Sequence, residues 1–166
     1  MVEVKVVQLN AGRRQGAHYS ILEQATRLKI DIVAIQEPYM PKIPPQSLPD
    51  SATWITLSAP SFDPVPPLPN YKRSPIRPRT FTYIRKGAGL EVNPRYDLFT
   101  DTDIQAVEVK GANLEPFLVI NCYNEKKQAV EGGGPGPTTL SRALLAATLP
   151  KVLILLLGDF NLHHPR

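Results

Sequence analysis

The chain has 166 residues, 42% of them hydrophobic, with a formal net charge of +4 and a pI near 9.3. That length and apolar fraction suit one globular domain over residues 1–166 with a core of its own, and no apolar run reaches the roughly 18 residues that a membrane span needs. The opening MVEVKVVQLN lacks the basic-then-apolar layout of a secretory signal, so the sequence reads as a soluble intracellular protein, with the nucleus open to it, rather than a secreted one.

The basic excess fits a polyanionic partner but is also ordinary among soluble proteins. The single cysteine, Cys122, excludes an internal disulfide and a cysteine-rich zinc site, and reads as a small buried hydrophobe.

Residues 2–9 alternate Val2, Val4 and Val6 with Glu3 and Lys5, the period of a half-buried strand. From Ala17 to Ile30 the apolar residues Ile21, Leu22, Ala25 and Leu28 recur at helical spacing, and DIVAIQEP follows as a short buried strand closed by Pro38. Strand, helix and strand in that order point to α/β architecture with a parallel pair. Twelve of the eighteen prolines fall between Pro38 and Pro78, which makes most of that segment irregular loop, interrupted by a strand-like ATWITLS around Trp54.

The basic cluster Tyr71, Lys72, Arg73, Arg77 and Arg79 is a solvated loop in the plainer reading and a phosphate contact in the sharper one. TFTYIRK, IQAVEVK and FLVINCY read as successive strands. EGGGPGP at 131–137 is a connection before a helix near 138–148; it lacks the Lys-Ser/Thr of a phosphate-cradling loop. In KVLILLLGDFN, six apolar residues from Val152 to Leu157 imply a strand covered on both faces.

Three of these strands end in polar residues: Asn10, Gln36-Glu37, and Asp159 with Asn161. Carboxyl ends of strands gather at one edge of an open α/β sheet, so these groups can meet in space. Any one of them alone has an ordinary turn-forming explanation. His18 is expected to be structural or solvent-facing. His163 and His164 point apart on extended chain and do not form a catalytic pair.

The combination is more specific. QLNAGRR, AIQEPY about 26 residues after Asn10, RTFTYIRK, INCYNE and GDFNLHHP together resemble the endonuclease/exonuclease/phosphatase superfamily, which includes apurinic endonucleases, the DNase I type and the endonucleases of non-LTR retrotransposons. Within it they look most like the retrotransposon branch, especially fungal elements. The resemblance implies a four-layer α/β sandwich of two sheets, DNase I-like, and Mg²⁺-dependent hydrolysis of DNA phosphodiesters, with Mn²⁺ a possible substitute. Neither a membrane nor a protein partner is expected.

It implies Glu37 as metal carboxylate with Asn10 beside the metal, Tyr123 as donor to the scissile phosphate, Asp159 on the attacking water or leaving oxygen, and Asn161 on a phosphate oxygen or that water. Where apurinic endonucleases carry an Asp two residues after the Asn, this chain has Gly12, which leaves metal binding to Glu37 and makes it weak. The family pattern continues past GDFN to a further Asp and a catalytic His. Because the sequence stops at Arg166, the resemblance implies a fold incomplete at its C-terminus and impaired activity. Two rival readings are a non-catalytic nucleic-acid-binding remnant and a phosphatase of small phosphoesters.

Overall fold

The structure, a computed structural model, describes residues 3–40, 52–59, 78–124, 144 and 148–160. Strand β1 (Val6–Asn10) leads through helix α1 (Gln15–Arg27) to β2 (Ile32–Gln36), then β3 (Trp54–Ser58) and β4 (Thr80–Arg85). The second half holds β5 (Leu90–Pro94), β6 (Ile104–Gly111), β7 (Leu114–Tyr123) and β8 (Leu153–Asp159).

These strands form two four-stranded sheets, ordered β1-β2-β4-β3 and β5-β6-β7-β8. In the first, β1 and β2 are parallel and the other pairs antiparallel; in the second, β7 and β8 are the parallel pair. The expected parallel pair around α1 is therefore present. All five residues of β2 are buried, as an apolar run without alternation requires when both faces are covered.

Three apolar layers account for this burial. Leu22 and Ala25 of α1 pack with Val33, Ile35, Phe81 and Tyr83 on the outer face of the first sheet. Between the sheets, Ile32 and Ile84 meet Val107, Val109, Phe117 and Val119. On the far face of the second sheet, Phe99, Ile104, Leu118, Ile120 and Cys122 gather with Leu149 and Ile154. Each such side chain removed from water contributes roughly 1.5–3 kcal/mol, and the period-two alternation of β7 sends 117 and 119 to one layer and 118, 120 and 122 to the other.

Three expectations need correction. The helix runs two residues earlier than its periodicity suggests, and Leu28, expected on the apolar face, is its C-cap and 56% exposed; the left-handed Lys29 (φ 53°) has already ended the turn. TFTYIRK and IQAVEVK are not consecutive strands, because β5 lies between them. Its Pro94 is tolerated since β5 is an edge strand among the described residues.

The run from Val152 to Leu157 is not covered on both faces. β8 closes its sheet among the described residues, Leu153 is 74% exposed and Leu156 is also exposed. An apolar run shows that both faces can be buried, not that neighbours stand on both sides. Of the two readings open for His18, structural or solvent-facing, the structure takes the first: it is wholly buried. Residues 41–51, 60–77, 131–137 and most of the expected helix at 138–148 lie outside the described residues, as do Asn161, His163 and His164.

Candidate active site

The two sheets meet differently at their two ends. At one end the interface is the aliphatic layer just described. Further along the same strand faces, it changes to the buried amides and hydroxyl of Gln36, Thr82, Gln105 and Asn121, with the exposed Gln8 at the margin. Gln36 Nε2 donates to Asn121 Oδ1 at 2.7 Å, Asn121 Nδ2 donates to the Phe81 carbonyl at 2.9 Å, and Thr82 Oγ1 donates to Gln105 Oε1 at 2.6 Å. The Gly158 amide donates to Gln8 Oε1 at 2.6 Å, tying β8 to β1. Buried amides are mostly paired, and here only Gln105 Nε2 lacks a partner among the described residues; the bonds between Gln36 and Asn121 and between Thr82 and Gln105 tie one sheet to the other.

The strand ends sit on this polar floor. Asn10 pairs with Gln36 across the parallel β1–β2 ladder, and Tyr123 pairs with Asp159 across β7–β8. Between the sheets, Asn10 Nδ2 donates to Asp159 Oδ2 at 2.6 Å. The other end of the Asn10 amide is held too: Oδ1 accepts from the Gly12 amide at 2.8 Å, a local turn made possible by Gly12 at φ +54°.

Glu37 follows Gln36 in the left-handed region (φ 46°), a strained setting for a non-glycine residue. Its amide donates to the Arg79 carbonyl and its carbonyl accepts from Arg13, 2.9 and 2.8 Å respectively. Its carboxylate lies 3.5 Å from Arg13 Nε and is 20% exposed. Asn10, Glu37, Tyr123 and Asp159 thus all occupy the carboxyl ends of strands at one rim.

The donor set at this rim is oxygen only. Such donors suit a hard divalent cation that keeps part of its water shell, and the Asn10 carbonyl retains a second lone pair beside its bond to Gly12. Among the described residues, no group of three or more His, Cys, Asp or Glu could hold a metal by itself.

No family model matches the sequence, and no curated protein does. Among solved structures, the endonuclease domain of TRAS1, a telomere-specific non-LTR retrotransposon, aligns with a TM-score of 0.54 at 17% identity, over 78% of this chain and 48% of that one. The chain has the DNase I-like α/β-sandwich fold. It spans about half the length of the TRAS1 domain.

Within this sandwich, two features of the rim escaped sequence reasoning. Arg79, grouped with the basic loop, is not simply solvated: its Nε and Nη2 donate to the two carboxylate oxygens of Asp103 at 2.8 and 3.0 Å, and its guanidinium carbon lies 4.9 Å from the centre of the Tyr123 ring. The remaining residues of that cluster, 71–77, lie outside the described residues. The inter-sheet amides were equally silent, although each falls in phase with the apolar residues of its strand. Cys122 is buried as expected; burial, then the carboxylates of Asp103, Asp101 and Asp159, push its thiol up to about 12, too high for a thiolate nucleophile.

Proposed function

We propose that this chain acts on DNA as a Mg²⁺-dependent phosphodiester hydrolase of the retroelement endonuclease type, with Mn²⁺ able to substitute and the nucleus as its place of work. The observation that carries the reading is the hydrogen bond between Asn10 and Asp159, which joins the ends of β1 and β8 across the two sheets on a fold shared with the TRAS1 endonuclease domain.

Glu37 would hold the cation with Asn10 beside it. When bound, the cation neutralises charge on the phosphate. Asp159, its carboxylate fixed by Asn10, orients and deprotonates the attacking water or protonates the leaving oxygen. Tyr123 donates its phenolic hydrogen to the phosphate, whose charge otherwise repels a nucleophile. Asn161 holds a phosphate oxygen or the water. The product is a nick with a 3′ hydroxyl. Binding of the cation is weak, because Gly12 supplies no second carboxylate.

The test is nicking of supercoiled plasmid by the full chain with Mg²⁺ or EDTA, in parallel with calorimetric Mg²⁺ titration. Wild type should nick slowly and only with metal, Asp159→Asn and Asn10→Ala should abolish nicking, and Glu37→Gln should lose metal binding. Metal-independent nicking, or full activity in Asp159→Asn, would defeat the proposal.

A second reading, a non-catalytic nucleic-acid-binding domain, draws on Arg13, a cation already seated on Glu37. DNA binding without metal that survives Glu37→Ala, with no nicking by wild type, would favour it.

A further inference from the structure

Arg79, Asp103 and Tyr123 form a closed loop of mutual restraints at the rim. The Tyr123 amide donates to the Asp103 carbonyl at 2.8 Å, which fixes the tyrosine backbone. The Asp103 carboxylate holds the Arg79 guanidinium through the paired bonds at Nε and Nη2. That guanidinium in turn covers the face of the Tyr123 ring. The Arg79 backbone belongs to the same assembly, since its amide donates to the Thr102 carbonyl at 3.0 Å and its carbonyl accepts from Glu37 at 2.9 Å. Asp103 is nearly buried in this arrangement, so a carboxylate kept largely from water is matched by one planar, two-pronged cation rather than by solvent.

We propose that Arg79, clamped by Asp103, is a positioning residue for Tyr123: it sets the plane of the ring and makes the phenolic hydroxyl a better hydrogen-bond donor. The physical case has two parts. A tyrosine side chain rotates about two torsions, and a plate held against its face restricts the second, which sets the plane of the ring. A cation over an aromatic face also stabilises negative charge developing on the ring system, so the hydroxyl gives up its hydrogen to an anion more readily. A lysine cannot make the paired bonds to Asp103, so it restores the charge without the fixed plane. The catalytic consequence rests on the endonuclease reading; the clamp itself does not.

The experiment therefore reads the ring first. In the full chain with ¹³C-labelled tyrosine, the Tyr123 ring signal is assigned by its loss in Tyr123→Phe. Arg79→Met should shift and broaden that signal, and Asp103→Asn, which keeps the arginine, should do the same to a smaller degree. Arg79→Lys should lie between Arg79→Met and wild type. A Tyr123 signal unchanged in Asp103→Asn and in folded Arg79→Met overturns the proposal whatever happens to stability; should Arg79→Met fail to fold, Asp103→Asn decides alone.

Plasmid nicking is measured on the same variants. Arg79→Met should lower kcat about tenfold with little change in KM, as expected for lost orientation, and should cost nothing further in a Tyr123→Phe background. Additive losses in that double variant would overturn the positioning role. A shifted ring signal in a protein that never nicks would remove the endonuclease reading and leave the clamp standing.

Discussion

His18 is buried on α1 as a neutral imidazole. The Tyr39 amide donates to Nδ1 at 3.0 Å, which places the ring proton on Nε2, 2.8 Å from the Tyr83 hydroxyl. Burial pushes its pKa from 6.5 down to about 4. A base with a depressed folded pKa binds its proton more readily when unfolded, so its contribution is intact above about pH 6.5 and is lost as pH falls toward 4. The loss amounts to about 3 kcal/mol at the acid end. Urea unfolding of wild type and His18→Gln at pH 7.5 and 4.5 checks this: the wild type should lose clearly more stability than the variant over that interval, and equal losses would assign the acid sensitivity to other groups.

The candidate site was partly legible at this same scale. Asn10, Glu37 and Asp159 stand out because each closes an apolar strand, and a polar residue there needs a reason. Arg79 and Asp103 did not stand out, because an ion pair across 24 positions leaves no periodic trace.

β8 shows what a strand's surroundings add to its composition. At Gly158 a Cβ would run into the Cys122 carbonyl, while the Gly158 amide reaches Gln8. Gly158→Ala should therefore force β7 and β8 apart and destabilise by roughly 2 kcal/mol, the scale of overpacking a close contact. Chemical denaturation measures it, and an unchanged midpoint would mean the strands give way freely.

Farther back on the strand, Leu153 is 74% exposed, and among the described residues β8 has no neighbour on its far side. Apolar edges invite pairing with another chain, and lysine is a common protection against it. Leu153→Lys should leave the melting temperature within a degree or two, as surface changes do, and should reduce self-association seen by light scattering at high concentration. A large fall in melting temperature would show that Leu153 is packed in solution. Strand β5 was missed for a related reason: Leu90 and Val92 alternate properly with Glu91 and Asn93, but the preceding Gly-rich turn and Pro94 masked a strand that only an edge position permits.

Across the whole molecule the sheets are joined by an aliphatic layer at one end and an amide layer beneath the candidate site at the other. Asn121 is the hub of the second, accepting from Gln36 and donating to Phe81. Asn121→Leu would leave the buried Gln36 amide without the acceptor it now has, a loss of about 1–3 kcal/mol. It should also loosen the carboxyl ends of β2 and β7, which carry Glu37 and Tyr123. Hydrogen exchange is the measurement: faster exchange at residues 36–37 and 121–123 with the aliphatic end still protected is the expected pattern, and uniform loosening would deny the amide layer a local role.

The sequence by itself determined the α/β class, the parallel strand–helix–strand opening, most of the strands and the polar residues that end them. All of these follow from short-range chemistry: side-chain periods of 2 and 3.6, proline's missing donor, and the preference of Asn and Asp for strand ends. Only the tertiary structure decided that β8 ends its sheet among the described residues, that Asn10 bonds to Asp159, and that Arg79 is locked between Asp103 and Tyr123. Those contacts join residues far apart in the chain, 149 positions for Asn10 and Asp159, so no short-range pattern announces them.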